Sequence, residues 1–407
     1  MSYPNENVDC GFYFRFNVLK DYEITAIMAI IILYKDREGR DEGMEQGKRA
    51  FNFNAGPAAL PLAVLERAQA EFVDFRGNGM SIMEMSHRGG VYEAVHQEAK
   101  ELLKELFNVP AGYDVLFLQG GASSQFAMIP MNLLQPGKVA AYVDTGSWAK
   151  KAIKEAQLIG ETAVIASSEA EHYTRMPSLE DIQVPAEAAY VHLTSNETIE
   201  GTQFQAFPNT GDVPLIVDMS SDILSRPLDI SQFGMIYAGA QKNLGPSGVT
   251  VVIAKEELLA ASPKTIPTML RYDIHQKNNS LYNTPPSFSI YMVNQVLHWL
   301  KEQGGLQAVQ EHNEEKANLI YDAIDSSQGF YRGVAVPENR SRMNVTFRLT
   351  SEDLEKSFIK QAEQEGFVGL KGHRSVGGLR ASIYNAVPKS SCEALVQFMK
   401  QFQQQNS

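Results

Sequence analysis

The first residue that could do chemistry is a lysine in an unusual setting. Lys242 lies in Tyr237-Ala238-Gly239-Ala240-Gln241-Lys242-Asn243-Leu244-Gly245-Pro246-Ser247-Gly248, just beyond a buried-strand pattern and among small residues. Small neighbours let a planar group approach the backbone closely. A lysine held there can form a Schiff base with an aldehyde. A solvated lysine in a glycine-rich turn would carry the same sequence. Asp218 closes the run Leu215-Ile216-Val217-Asp218. Ligands of open α/β sheets bind outside the carboxyl ends of the strands. A carboxylate placed there can keep a pyridine-type nitrogen protonated and make its ring an electron sink. Capping the turn Ser220-Ser221-Asp222 is the plainer role for the same side chain.

Three further groups suit an anionic or aromatic ligand. Gln119-Gly120-Gly121-Ala122-Ser123-Ser124-Gln125-Phe126 joins a strand pattern to a helix pattern. Its glycines, hydroxyls and helix-start N–H groups suit a phosphate. It matches neither the nucleoside-triphosphate loop nor the dinucleotide fingerprint. Trp148 follows Asp144-Thr145-Gly146-Ser147 and could stack on an aromatic ring, or simply pack in a helix. His-Arg recurs beside glycines, in Ser86-His87-Arg88-Gly89 and Gly372-His373-Arg374-Ser375, with Arg380 close behind. Arginine grips carboxylates and phosphates with two parallel hydrogen bonds, though each of these arginines also suits an ordinary surface.

These residues need a frame, and the pattern supplies one. Short aliphatic runs at 115–118, 139–143, 189–193, 215–218, 235–238 and 249–253 alternate with helical stretches such as 147–159. That rhythm predicts a mainly parallel sheet with helices on both faces. From Ser287 the character changes. Two long helices (287–302 and 306–324) precede a strand at 343–349 that alternates as a half-exposed strand should. A helix at 352–365, a strand at 379–384 and a helix at 389–404 complete a smaller α+β layer.

Composition narrows the function classes. The 407 residues include 48 acidic and 36 basic side chains, a net charge of −12. That balance disfavours a general nucleic-acid binder, which needs a basic field. Cys10 and Cys392, far apart, make neither a disulfide framework nor a zinc set, so no metal is expected and a reducing, cytoplasmic setting is. The apolar run 26–34 is too short to span a membrane. It is followed by a charged stretch and Met44.

Taken together, the blocks Phe51-Asn52-Phe53-Asn54-Ala55-Gly56-Pro57-Ala58, Met85-Ser86-His87-Arg88, Asn196-Glu197-Thr198-Ile199-Glu200-Gly201, Val217-Asp218-Met219-Ser220-Ser221, Gly239-Ala240-Gln241-Lys242-Asn243, Tyr282-Asn283-Thr284-Pro285-Pro286 and Gly372-His373-Arg374-Ser375-Val376-Gly377-Gly378-Leu379-Arg380 resemble the phosphoserine aminotransferases. These are class V, fold type I enzymes dependent on pyridoxal phosphate. The resemblance implies an α/β fold, with a large, mainly parallel mixed sheet flanked by helices and a smaller α+β domain. It implies a large cofactor domain at 62–305 and a small one from 47–61 with 306–407. Residues 1–46 form an extension, of which 1–43 are expected not to belong to the working enzyme.

The resemblance also implies roles. Lys242 would carry the Schiff base and shuttle the proton, Asp218 would pair with the pyridine nitrogen, Trp148 would stack on the ring, and Thr198 would meet the ring hydroxyl. The cofactor phosphate would rest on Ala122, Ser123 and Gln241, with Asn283 and Thr284 reaching across a homodimer interface. Arg380 would hold the substrate α-carboxylate. His87, Arg88, His373 and Arg374 would hold the distal phosphate of phosphoserine or the side-chain carboxylate of L-glutamate. The implied reaction is a reversible ping-pong transfer from L-glutamate to 3-phosphooxypyruvate, giving O-phospho-L-serine and 2-oxoglutarate in serine biosynthesis. The four-carbon phosphorylated 2-oxo acid of vitamin B6 synthesis is a second implied substrate. Two departures stand out: Gly121-Ala122-Ser123-Ser124 replaces the relatives' Gly-Gly-Arg-Gly, and Ala55 replaces a serine found in some of them. A cysteine desulfurase of the same fold would need a mobile thiol, whereas Cys392 sits in a helical pattern.

Overall fold

A computed structural model describes residues 49–406. The expectation for residues 1–43 lies outside them. The frame is a seven-stranded sheet. In chain order its strands are β1 (Tyr113–Leu118), β2 (Val139–Asp144), β3 (Thr162–Ser167), β4 (Ala188–Thr194), β5 (Leu215–Asp218), β6 (Met235–Gly239) and β7 (Thr250–Lys255). Their spatial order is β1-β7-β6-β5-β4-β2-β3, parallel except for β7, which runs antiparallel to both neighbours. β2, β5 and β6 are buried at every position, as continuous apolar runs in a doubly covered sheet require. β3 was not legible in the sequence. It is an edge strand with no fully buried residue, so it lacks that apolar signature.

The longer helices are α1 (Leu62–Ala70), α2 (Gly90–Phe107), α3 (Gly121–Leu133), α4 (Ser147–Gln157), α5 (Ser287–Glu302), α6 (Gly305–Asp325), α7 (Glu352–Gln364) and α8 (Lys389–Asn406). Two buried clusters pack on the sheet, one of them including residues of α2 and α5 and the other residues of α3 and α4. A separate core gathers Phe53 with Phe347, Phe358, Phe367, Phe398 and Phe402. It lies around a three-stranded antiparallel sheet of β8 (Tyr331–Gly333), β9 (Asn344–Leu349) and β10 (Leu379–Ser382).

β9 corrects one expectation. It is buried everywhere except at Arg348, rather than half exposed. Its polar positions are covered because they meet partners on the large-sheet side. Asn344 Oδ1 accepts from Asn196 Nδ2 (2.8 Å), and Thr346 Oγ1 donates to the Glu200 carbonyl (2.9 Å). Polarity at a strand position therefore marks a hydrogen-bonded junction here, not solvent.

One buried cation secures the segment that follows the strand carrying Arg380. Lys316, on α6 and fully buried, donates to the carbonyls of Ile383 (3.0 Å), Tyr384 (2.8 Å) and Val387 (3.1 Å). Burial pushes its amine down to about 8. Lys316→Met removes every one of those donors while keeping the aliphatic stem. We expect a stability loss of about 2–4 kcal/mol from the stranded carbonyls. Urea denaturation followed by tryptophan fluorescence measures it, and an unchanged midpoint would show the three bonds to be worth nothing.

Candidate active site

The carboxyl ends of β1, β2, β4, β5 and β6 open onto a cavity of about 620 Å³. Its lining includes Ala122, Ser123, Trp148, Thr198, Asp218, Gln241, Lys242, His373 and Arg380. The sequence had singled out each of these.

Lys242 follows β6 in a tight turn and is almost completely buried. Its Nζ donates to Thr198 Oγ1 at 2.6 Å, and the Thr198 carbonyl accepts from Arg380 Nη1 at 3.1 Å. One threonine thus spaces the amine from the guanidinium. Gly56 covers the lysine stem at φ +146°, and a Cβ there would lie 3.4 Å from Lys242 Cγ. Burial pushes the amine down to about 8, while the charges of Asp218 and Glu197 pull the other way.

Asp218 fills both roles that its sequence position allowed. Oδ1 accepts from the Ser220 amide (2.8 Å) and hydroxyl (2.6 Å), the predicted turn cap. The Ser220 hydroxyl in turn accepts from the Gly239 amide (3.0 Å), tying β5 to β6. The second oxygen has no hydrogen-bond partner among the described residues. Burial raises the carboxyl pKa, outweighing the bonds from Ser220 and the nearby Lys242 charge. A buried carboxylate with a spare oxygen and a raised pKa is stabilised by a cation placed against it.

Trp148 begins α4, and its ring centroid lies 5.3 Å from Lys242 Nζ. Its Nε1 is buried without a partner among the described residues. The helix start is held by two carboxylates that sequence reading missed. Glu197 accepts from Thr145 Oγ1 (3.0 Å) and from the amides of Trp148 and Ala149 (3.1 Å each). Glu200 Oε1 accepts from the amide (3.0 Å) and hydroxyl (2.6 Å) of Ser147. Gly146, at φ +153°, leaves room for them, since a Cβ there would sit 2.8 Å from Glu197 Cδ. Burial and the neighbouring Glu200 raise the Glu197 pKa.

The two helix starts at the cavity therefore differ. That of α4 is occupied by the chain's own carboxylates. That of α3 has no side-chain cap, and its N-cap, Gly120, has φ +90°. A free helix N-terminus attracts an anion, and the α3 start at Gly121-Ala122-Ser123 offers N–H groups that suit one. Gly120 cannot be replaced, because a Cβ there would fall 1.8 Å from Ser124 Oγ.

The other sequence candidates do not line the cavity of a single chain. Arg88, Arg374 and Thr284 are exposed. Among the described residues, Asn283 Nδ2 bonds only to the Thr284 carbonyl (3.2 Å), and His87 Nε2 is buried without a partner. Ala55 lines the cavity, and its carbonyl accepts from Tyr384 OH (2.7 Å). Cys392 is wholly buried, and burial pushes its thiol up to about 12, which makes it a poor nucleophile.

The family model for aminotransferase class V matches residues 50–395. The chain belongs to the class V aminotransferases. It is 72% identical over 355 residues to the phosphoserine aminotransferase of Niallia circulans, covering 87% of this chain and 98% of that one. The solved phosphoserine aminotransferase of Bacillus circulans subsp. alkalophilus superposes with a TM-score of 0.88 at 71% identity, over 89% of this chain and 100% of that one. A pyridoxal-phosphate-bound phosphoserine aminotransferase from Trichomonas vaginalis superposes at 0.82 with 42% identity, over 86% and 100%. In this chain Lys242 and Asp218 line one cavity.

Proposed function

We propose that this chain is a pyridoxal-phosphate-dependent phosphoserine aminotransferase, moving the amino group of L-glutamate to 3-phosphooxypyruvate. The observation that carries the reading is the meeting of Lys242, Asp218, Trp148 and Arg380 at one cavity, in a chain so similar to enzymes of that name. The residues fit the cofactor. Asp218 offers an unpartnered oxygen to a ring nitrogen, Trp148 a ring face, and the α3 start a set of N–H groups to a phosphate. Bound there, the cofactor supplies the electron sink that makes the substrate α-proton removable.

The chain's own residues do the rest. Lys242, with an amine held near neutral pH, takes the proton from the α-carbon and returns it to the cofactor side. Thr198 orients that amine. Asp218 holds the proton on the ring nitrogen. Arg380 binds the α-carboxylate, and His373 with Arg374, His87 and Arg88 binds the distal phosphate or carboxylate. Burial, and then the nearby charges of Arg380, Lys151 and Arg374, lower the His373 pKa, so an arriving anion favours its protonation.

The working unit is a homodimer in this reading. Between residues 62 and 91 the chain leaves Leu62, Phe72, Val73, Met80, Met83 and Val91 exposed. A row of large apolar side chains in one stretch suits a subunit interface. Asn283 and Thr284 would there complete the phosphate site of the second copy. Residues 62–305 form the cofactor domain, and 47–61 with 306–407 the small one, a division supported by the separate aromatic core. The cytoplasm is the proposed compartment, given the sparse cysteine usage. No helix among the described residues is long and apolar enough to cross a membrane.

Titration of the purified, cofactor-loaded protein tests the function. O-phospho-L-serine and L-glutamate should each convert the bound cofactor from its aldehyde to its amine absorbance, whereas alanine and cysteine leave it unchanged. Conversion by alanine alone would overturn the assignment.

A further inference from the structure

The residues proposed to hold the distal anion, His373 and Arg374, sit in a loop that has little internal means of holding its shape. Inside residues 371–378 the bonds are local: Gly372 N to Gly378 O (2.9 Å), Val376 N and Gly377 N to His373 O (3.0 and 2.8 Å), and His373 Nδ1 with Ser375 Oγ (2.7 Å). Residues 374–377 are exposed. One side chain from outside reaches the loop backbone near its tip. Arg348, on β9, donates through Nη1 to the Val376 carbonyl (2.9 Å). Through Nε it donates to Glu355 Oε1 of α7 (2.6 Å), and the same oxygen accepts from the Leu349 amide (3.3 Å). Glu355 is buried, so its carboxylate is a fixed anchor.

The loop lies on the arginine as closely as chain can. Gly378 has φ +68°, and a Cβ there would stand 2.4 Å from Arg348 Cδ; Gly377 has φ +70°, with its Cβ position 3.4 Å from Arg348 Nη1. Two successive left-handed glycines over one guanidinium stem are a seat, not a chance contact. An arginine that bridges a buried carboxylate through Nε and a carbonyl through Nη1 fixes direction as well as distance.

We propose that Arg348 and Glu355 form a strut that positions the 371–378 loop, and so sets the reach of His373 and Arg374 toward the distal anion of the substrate. They are positioning residues. The proposal rests on the functional reading above for the identity of that anion, but not for the strut itself. A loop displaced by an ångström loses binding to the group that it grips, while Lys242, Asp218 and Arg380 stay in place on other elements.

Two variants test it. Arg348→Met keeps the stem beneath Gly378 and removes the guanidinium. Glu355→Gln keeps an acceptor for Leu349 and removes the charge that anchors Arg348. In each, the KM for O-phospho-L-serine should rise about tenfold with a smaller change in kcat, and cofactor absorbance should match the parent. A second readout does not depend on turnover. Brief trypsin treatment of the holoenzyme should cut after Lys371 or Arg374 several times faster in both variants, as read by fragment mass. Unchanged KM together with unchanged cleavage in both variants overturns the strut. If the parent enzyme turns over neither substrate, the functional reading fails, and the cleavage rates alone decide the strut.

Discussion

Lys242→Ala is expected to reduce transamination by about 10⁴-fold or more, with the protein still folded and still retaining some cofactor. The loss is large because the two groups linked to the amine, Thr198 and Arg380, cannot take over its role. Among the groups around the cavity, the guanidinium of Arg380 stays protonated at any working pH, and Thr198 Oγ1 already accepts from the lysine. The cavity itself should survive. Gly56 and Trp148 would border a smaller side chain, and the alanine variant loses a buried amine whose charge burial already disfavours. Retention of cofactor by the α3 start and Asp218 separates lost chemistry from lost binding. The measurement is the single half-reaction with O-phospho-L-serine, followed by absorbance, beside cofactor content after dialysis. Full activity in the variant would sink the assignment. The parent protein carries a matching pH signature. With the amine at about 8 in the cofactor-free chain, only its neutral form attacks an aldehyde. The rate of reconstitution with added pyridoxal phosphate should therefore fall about tenfold for each pH unit below that value, and level off above it.

Much of this site was legible because its parts are local. Asp218 ends one apolar strand run and Lys242 closely follows another, and the rule that ligands bind at carboxyl strand ends turns that pattern into a place. Gly120-Gly121-Ala122-Ser123 announces an uncapped helix by composition alone. What stayed hidden is assembled across the chain. Glu197 and Glu200 belong to a block noted for its resemblance but with no role of their own, yet they cap a helix some fifty positions earlier through Trp148, Ala149 and Ser147. Nothing periodic marks such a pair. A fully buried glutamate is the exception to the usual reading of glutamate as surface. β9 misled for the same reason, since Asn344 and Thr346 suggested solvent where they face Asn196 and Glu200. Arg348 also had no sequence signal, because its significance depends on which loop folds over it.

Asp218→Asn is expected to separate activity from stability, which makes it the sharper test of the electrostatics. Asparagine keeps an oxygen that accepts from both donors of Ser220, so the turn between β5 and β6 remains tied. It loses the charge. An amide cannot hold a proton on a ring nitrogen, so turnover with O-phospho-L-serine should drop about 10²–10⁴-fold. Meanwhile the cofactor-free protein should be at least as stable as its parent. The sign follows from linkage. Burial raises the Asp218 pKa in the folded chain, so above that pKa the folded state contains an anion that the unfolded state accommodates more easily. Replacing it by a neutral group removes that cost. The same charge also props up the Lys242 pKa. Its removal should shift the midpoint of cofactor uptake to lower pH, the direction opposite to a general loosening of the cavity. Thermal melts of the cofactor-free proteins, reconstitution rates across pH and the half-reaction rate together give three signs. A variant that is inactive, less stable without cofactor, and slower to reconstitute at pH 7 would show that Asp218 serves the fold, and that the ring nitrogen is not what its free oxygen awaits.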